Sequence, residues 1–265
     1  MAQRDNLPTI LAIGVVAYVS ETLGHELLGH GGMCLLQGAR ITALAPLWMR
    51  CSISTLPMVI AGPAFNLLAG GLCAAVLSPR RRSDTLGYAL WLTCAFNLLV
   101  ACGYLIVGGV TTFGDWGVVF ARARPQWAWR LALGVLGLAA YLAALRALAF
   151  LYLRLAGASG FDSDALRRRA LWPGVSAALV ACAAEIAGGH PTLGSLGLAL
   201  GCTLFVGWTL SRIGDFSPLA TRCNNRALLI PFQPAWLTGG ILLAGLFVGI
   251  VGRCPSNATA GHGLL

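Results

Sequence analysis

The chain has 265 residues, 57% of them hydrophobic and only 10% charged, with a mean hydropathy of +0.77. A soluble domain carries about 25% charged residues, so this composition excludes a soluble enzyme and a disordered tail and leaves a polytopic membrane protein. All 18 basic residues are arginine and the net charge is +9, but they cluster in short gaps between apolar runs, as Arg80, Arg81, Arg82 and Arg167, Arg168, Arg169; they read as helix-orienting and lipid-headgroup contacts, not as a nucleic-acid surface.

Seven apolar runs meet or approach the roughly 20 residues that a bilayer core demands. They cover Leu7 to Leu36, Leu56 to Leu77, Leu86 to Val110, Trp127 to Leu155, Leu171 to Ala187, Leu193 to Leu210 and Trp236 to Val251. Backbone groups in lipid must be satisfied internally, so each run reads as a helix. The fifth and sixth are parted only by Gly188-Gly189-His190-Pro191. Gly38 to Thr55 is too polar and interrupted for a helix, and its alternation on either side of Pro46 reads as a short β-hairpin. Ser211 to Pro234, with Arg212, Asp215, Arg222 and Arg226, reads as an interfacial loop. Gly197-x-x-x-Gly201 and Gly245-x-x-x-Gly249 are weak helix-packing signals. The nine cysteines form no C-x-x-C pair and sit mostly in apolar runs. They read as small packing residues, not as a disulfide or zinc framework. No cleavable signal peptide is evident.

The first run carries the chemistry. Glu21, His25, Glu26 and His30 lie in Ser20-Glu21-Thr22-Leu23-Gly24-His25-Glu26-Leu27-Leu28-Gly29-His30, in a chain with only three glutamates and four histidines. Ionisable groups at membrane depth cost a few kcal/mol each on insertion scales and point to function. In H-E-x-x-H, two histidines one turn apart bind a metal and the glutamate activates its water. Here the spacing is H-E-x-x-x-H, and residues five apart lie about 140° apart on an ideal α-helix. A π-bulge between His25 and His30 absorbs the extra residue and restores convergence. The competing reading is that Glu21 with His25, and Glu26 with His30, satisfy each other as polar pairs one turn apart.

The wider pattern resembles the site-2 protease family of intramembrane zinc metallopeptidases. His25-Glu26 to His30 precedes the hairpin-like segment, Gly62-Pro63-Ala64-Phe65-Asn66 opens the second helix, and the third run ends at Phe113-Gly114-Asp115-Trp116-Gly117. H-E-L-L-G-H is also the zinc motif of the soluble dipeptidyl peptidase III family, so the longer spacing can serve a metal. The resemblance implies Zn2+ held by His25, His30 and Asp115, with Glu26 as general base. The family's third-ligand segment is typically proline-rich and ends in Asp-Gly; Asp115-Trp116 departs from it, and Glu185 and His190 are the alternatives. Asp115 also reads as an ordinary helix-end aspartate. Asn66 and Asn97 either line the cavity, where Asn66 would hold a substrate strand, or bond across helices.

The expected molecule is therefore an all-α polytopic bundle of six or seven transmembrane helices with a short β-hairpin after the first. Residues 1–124 form a site-2-protease-like three-helix zinc core, and 125–265 add further transmembrane helices to one integrated membrane domain. The resemblance implies hydrolysis of peptide bonds in a membrane-embedded or membrane-proximal protein, with membrane lipid as the other partner. The alternative is a non-catalytic bundle, either transporter-like or a degenerate peptidase scaffold. Arginine without lysine, beside abundant Ala and Gly, fits a bacterial inner-membrane protein. The arginine-rich gaps follow the second, fourth and sixth runs, which favours a cytoplasmic N-terminus. His25, 18 residues beyond Leu7, then lies about 27 Å along the helix, toward the external face; the resemblance implies the opposite placement.

Overall fold

The computed structural model describes residues 5–78, 84–111, 114–156, 162–189, 191–216 and 228–251. Asn6 caps the first helix, α1 (Leu7–Leu23), by accepting from the Thr9 backbone N–H, and Pro8 occupies the first turn, where its missing N–H costs nothing. The helix then changes pitch through a π segment, Gly24–Gly31, and closes as α2 (Gly32–Leu36). These three pieces form one membrane-length span.

Strands β1 (Ile41–Ala45) and β2 (Trp48–Cys51) follow as an antiparallel hairpin, with an irregularity between Ile41 and Ala43. Thr55 caps α3 (Leu56–Leu77), again with proline in the first turn. Next come α4 (Thr85–Thr111), the short α5 (Gly114–Phe120) and α6 (Gln126–Ala156). The chain continues with α7 (Ser163–Ala187), α8 (Leu193–Ser211), a 3-10 turn (Ile213–Phe216) and α9 (Pro234–Leu246), which ends in a second π segment, Phe247–Val251. Seven of the resulting spans are long and apolar enough to cross a membrane. Their outer faces carry bare leucines and isoleucines such as Leu68, Leu72, Leu136, Ile241 and Leu242. In water such a surface would be unstable; on an integral membrane protein it meets lipid.

Helix α4 is the hub, touching α1, α3, α5, α6 and α8. Its Trp91 indole donates to the Leu148 carbonyl of α6 at 3.0 Å, and its Phe96 meets Tyr18 of α1 edge-on. The ends of the bundle differ in content. At one end Asp5, Thr85, Arg169 and Leu228 gather, with Gln233 donating to Thr85 at 3.0 Å and Arg169 paired to Asp5 at 2.9 Å. At the other lie the hairpin, α5 and the start of α6, where Arg130 donates to the Gly109 carbonyl at 2.9 Å and to Val110.

Four expectations are corrected. Helix α7 begins at Ser163, eight residues before the expected Leu171, so Arg167, Arg168 and Arg169 lie within a helix. Arg167 and Arg168 are exposed, but Arg169 is buried, because Asp5, the Tyr152 hydroxyl and the Leu228 carbonyl supply its partners. Leu228 and Ile230, expected in an interfacial loop, are core residues, since the extended chain there donates from Ile230 N–H to Asp5; Arg222 and Arg226 lie outside the described residues. Gly197, Gly201, Gly245 and Gly249 face open space; the tight helix contact is instead Gly174 against Gly207. Finally, Cys34 and Cys51 form a disulfide, with Cα atoms 6.1 Å apart. The hairpin folds back over the helix end and brings together two cysteines separated by 17 positions. Cys73, Cys94, Cys102, Cys182 and Cys202 are free, as expected, while Cys223 and Cys254 lie outside the described residues.

Candidate metal centre

In the π segment, hydrogen bonds run five residues back and bring residues five apart onto one side. His25 and His30 are such a pair, and their Nε2 atoms lie 3.2 Å apart with the ring planes at 86°. Glu26 completes a buried triad whose ligand atoms all lie within 4.8 Å of one another.

Helix α3 leaves room for these rings. A Cβ built on Gly62 would fall 2.7 Å from His25 Nε2 and strike the His30 ring as well. A Cβ on Gly29 would come within 2.7 Å of the Gly62 Cα. The two glycines therefore allow the π segment and α3 to approach at backbone distance. The Met58 carbonyl in the first turn of α3 accepts from His30 Nδ1 at 2.7 Å. That bond puts the His30 proton on Nδ1 and leaves Nε2 with a free lone pair, the state a metal-binding imidazole requires.

Asp115 enters from the far side. Gly114 at φ +74, a conformation readily adopted only by glycine, starts α5 and places Asp115 in its first turn. The Asp115 carboxylate lies 3.2 Å from His25 Nε2 and 3.3 Å from His30 Nε2.

The donor set fits a metal. Ligands about 2.0–2.1 Å from a tetrahedral ion are spaced about 3.3–3.4 Å from each other. Here the two Nε2 atoms are 3.2 Å apart, His25 Nε2 is 3.2 Å from Asp115 Oδ2 and His30 Nε2 is 3.3 Å from Asp115 Oδ1. Moreover, His25 Nδ1, Glu26 Oε2 and Asp115 Oδ2 are buried with no hydrogen-bond partner among the described residues. Buried polar atoms are rarely left in this way without a further ligand or water. The reading of the polar helix as self-satisfied pairs would have used the His25 and Glu26 atoms.

The remaining sequence candidates fall in different places. Glu21 is buried and lines the cleft beside His25 and Glu26. It accepts from the Asn66 amide at 2.8 Å and from the Thr22 hydroxyl at 3.2 Å. Asn66 is fully buried in that contact. Asn97 donates to the Thr93 carbonyl of its own helix at 2.9 Å and packs toward Gly70, away from the cleft lining. Glu185 is half-buried near the end of α7 and does not join the triad; His190 lies outside the described residues.

The cleft also contains residues that sequence reasoning did not single out. Tyr104 of α4 stands edge-on to His25, with ring centroids 5.3 Å apart. Pro46 and Leu47 at the hairpin turn and Leu198, Cys202 and Thr203 of α8 close its sides. No local signal marks them, because each is an ordinary apolar or small residue until the helices pack. The cleft has a volume of about 30 Å³, room for about two waters.

No family model, curated protein or solved structure matches the chain. Its own geometry thus carries the conclusion. The chain is a polytopic membrane bundle with a buried His-Glu-x-x-x-His triad positioned to chelate a divalent metal, consistent with an intramembrane metalloprotease fold and with the motif resemblance to site-2 proteases.

Proposed function

We propose that the protein is an intramembrane zinc peptidase that hydrolyses peptide bonds of membrane-embedded or membrane-proximal proteins. The observation that carries this reading is the near-equilateral spacing of His25 Nε2, His30 Nε2 and the Asp115 carboxylate, with the Glu26 carboxylate beside them. His25, His30 and Asp115 are the ligands in this reading and Glu26 is the general base. Residues 1–124 supply the core and the helices beyond 125 flank it. Arginine-only basic composition supports a bacterial inner membrane as its location.

Zinc rather than magnesium or calcium suits two imidazoles and one carboxylate with a fourth position open, and it supplies a Lewis acid for the scissile carbonyl. The chain's own groups do the rest. Glu26 Oε2, without a partner among the described residues, is free to take a proton from the attacking water and pass it to the departing amine. The Met58 carbonyl holds the His30 tautomer, and Tyr104 braces His25. Phe96, Val100 and Leu198 make the cleft walls apolar, which strengthens each charge interaction inside it.

The test is zinc content and cleavage of a reconstituted membrane substrate, measured on one preparation purified without metal-affinity steps. About one zinc per chain is expected, and Glu26→Gln should retain it while losing about 10²–10⁴ in rate. Unchanged cleavage by Glu26→Gln overturns the mechanism. Protein that takes up no metal points to the non-catalytic bundle instead.

A further inference from the structure

The two ends of the bundle can be assigned to the two sides of the membrane. Two independent features bear on this, one from basic residues and one from sulfur chemistry.

Among the described residues seven spans run between the ends. Asp5, Thr85, Arg169 and Leu228 mark the end where α1, α4, α7 and α9 begin. In sequence, the stretch joining α3 to α4 contains Arg80, Arg81 and Arg82, and the first turns of α7 contain Arg167, Arg168 and Arg169. The hairpin end has single arginines, Arg40 and Arg50 on the hairpin, Arg122 and Arg124 after α5 and Arg130 in the first turns of α6. Short loops rich in arginine stay in the cytoplasm, and the acids of the same loops count for little.

The disulfide is the second feature. Cys34 and Cys51 are joined at the hairpin end. Such bonds persist on the oxidising side of a membrane and are reduced in a typical cytosol. Cys73, Cys94, Cys102, Cys182 and Cys202, which are free, lie within the spans, where this chemistry does not reach them.

Both features place the hairpin end outside the cytoplasm, and we infer that the metal cleft faces the oxidising, non-cytoplasmic side and takes its substrate from there. His30 lies six residues before Leu36, the last residue of that span, so the cleft sits about 9 Å of helix below the outer end. This lies in the outer half of a hydrocarbon core about 30 Å thick. The hairpin turn, with Pro46 and Leu47 on the cleft wall, is tied to the metal-motif helix through Cys34. The substrate class that follows is a membrane protein whose scissile segment lies in the outer leaflet or just outside it. This substrate statement rests on the peptidase reading above, whereas the orientation does not.

The orientation can be tested in cells expressing the full chain in a Cys223→Ser, Cys254→Ser background. Arg122→Cys, exposed after α5, should react with a membrane-impermeant maleimide in intact cells. Asp164→Cys, exposed at the start of α7, should react only after permeabilisation. Cys34 and Cys51 should resist maleimide-polyethylene glycol until a reductant is added. Labelling of Asp164→Cys in intact cells, or Cys34 and Cys51 reactive without reductant, overturns the inference. Zinc content of the same membranes separates the two readings. Outward labelling without metal keeps the orientation and removes the peptidase, whereas metal with inward labelling keeps the peptidase and reverses its side.

Discussion

Two clusters of buried charge sit at opposite ends of this bundle, and they are built on opposite principles. At the Asp5 end, Arg169 donates to both Asp5 oxygens at 2.9 and 3.0 Å, to the Tyr152 hydroxyl at 3.2 Å and to the Leu228 carbonyl at 2.7 Å. Asp5 also accepts from the Ile230 N–H at 3.0 Å. Charge is matched by charge and the planar guanidinium fork is filled. At the hairpin end, by contrast, His25 Nδ1, Glu26 Oε2 and Asp115 Oδ2 have no hydrogen-bond partner among the described residues, and two imidazoles crowd against one carboxylate. A buried polar cluster complete in itself holds helices together. One that is incomplete is arranged for something the chain does not supply.

That contrast gives opposite mutational signatures. The largest effect is expected at the incomplete cluster. His30→Ala removes one of three donors and should empty the metal and abolish cleavage together, while the bundle still melts cooperatively in detergent, because the apolar contacts of α4 with α1 and α6 are untouched. Metal content and a thermal melt on one sample check this, and a His30→Ala protein that keeps its metal would dissolve the distinction.

Next is Asp5→Ala at the complete cluster. It leaves Arg169 buried without its counter-ion, a change that costs about 3–5 kcal/mol in buried pairs. The melt should shift downward strongly while the folded fraction keeps its full metal complement. Loss of metal with an unshifted melt would show that the two ends are not separate in role.

A smaller effect sharpens the picture at the site itself. Gly62→Ala adds a methyl group where the two imidazoles meet α3. Shifts in groups that orient metal ligands typically cost about 10–100-fold in metal affinity. Competition with a graded zinc chelator should detect that loss, and Gly71→Ala on the same helix, where a Cβ meets nothing within 4 Å, is the matched control that should bind as the parent does.

The sequence by itself determined whatever depends on neighbours along the chain. Hydropathy located seven spans because each must bury or expose its own length to lipid, and six began and ended within a few residues of the observed helices. The five-residue spacing of His25 and His30 demanded a π distortion, and the helix runs in π geometry from Gly24 to Gly31. Alternation about Pro46 gave the hairpin. Other properties required the packed molecule. Cys34 and Cys51 became partners because a hairpin folds across a helix end. Arg169 is buried rather than at the headgroups because Asp5, 164 positions away, is there to meet it. Gly197 and Gly201 carry the spacing of a packing motif yet touch nothing within 4 Å, whereas Gly174 and Gly207, with no such motif, form the close contact. Asp115 read either as the third ligand the resemblance implies or as an ordinary helix-end aspartate, and only the packing of α5 set it 3.2 Å from His25. A residue's periodicity and cost of burial are local and can be read along the chain. The identity of its partner depends on which surfaces the other helices leave free, and only the assembled bundle decides that.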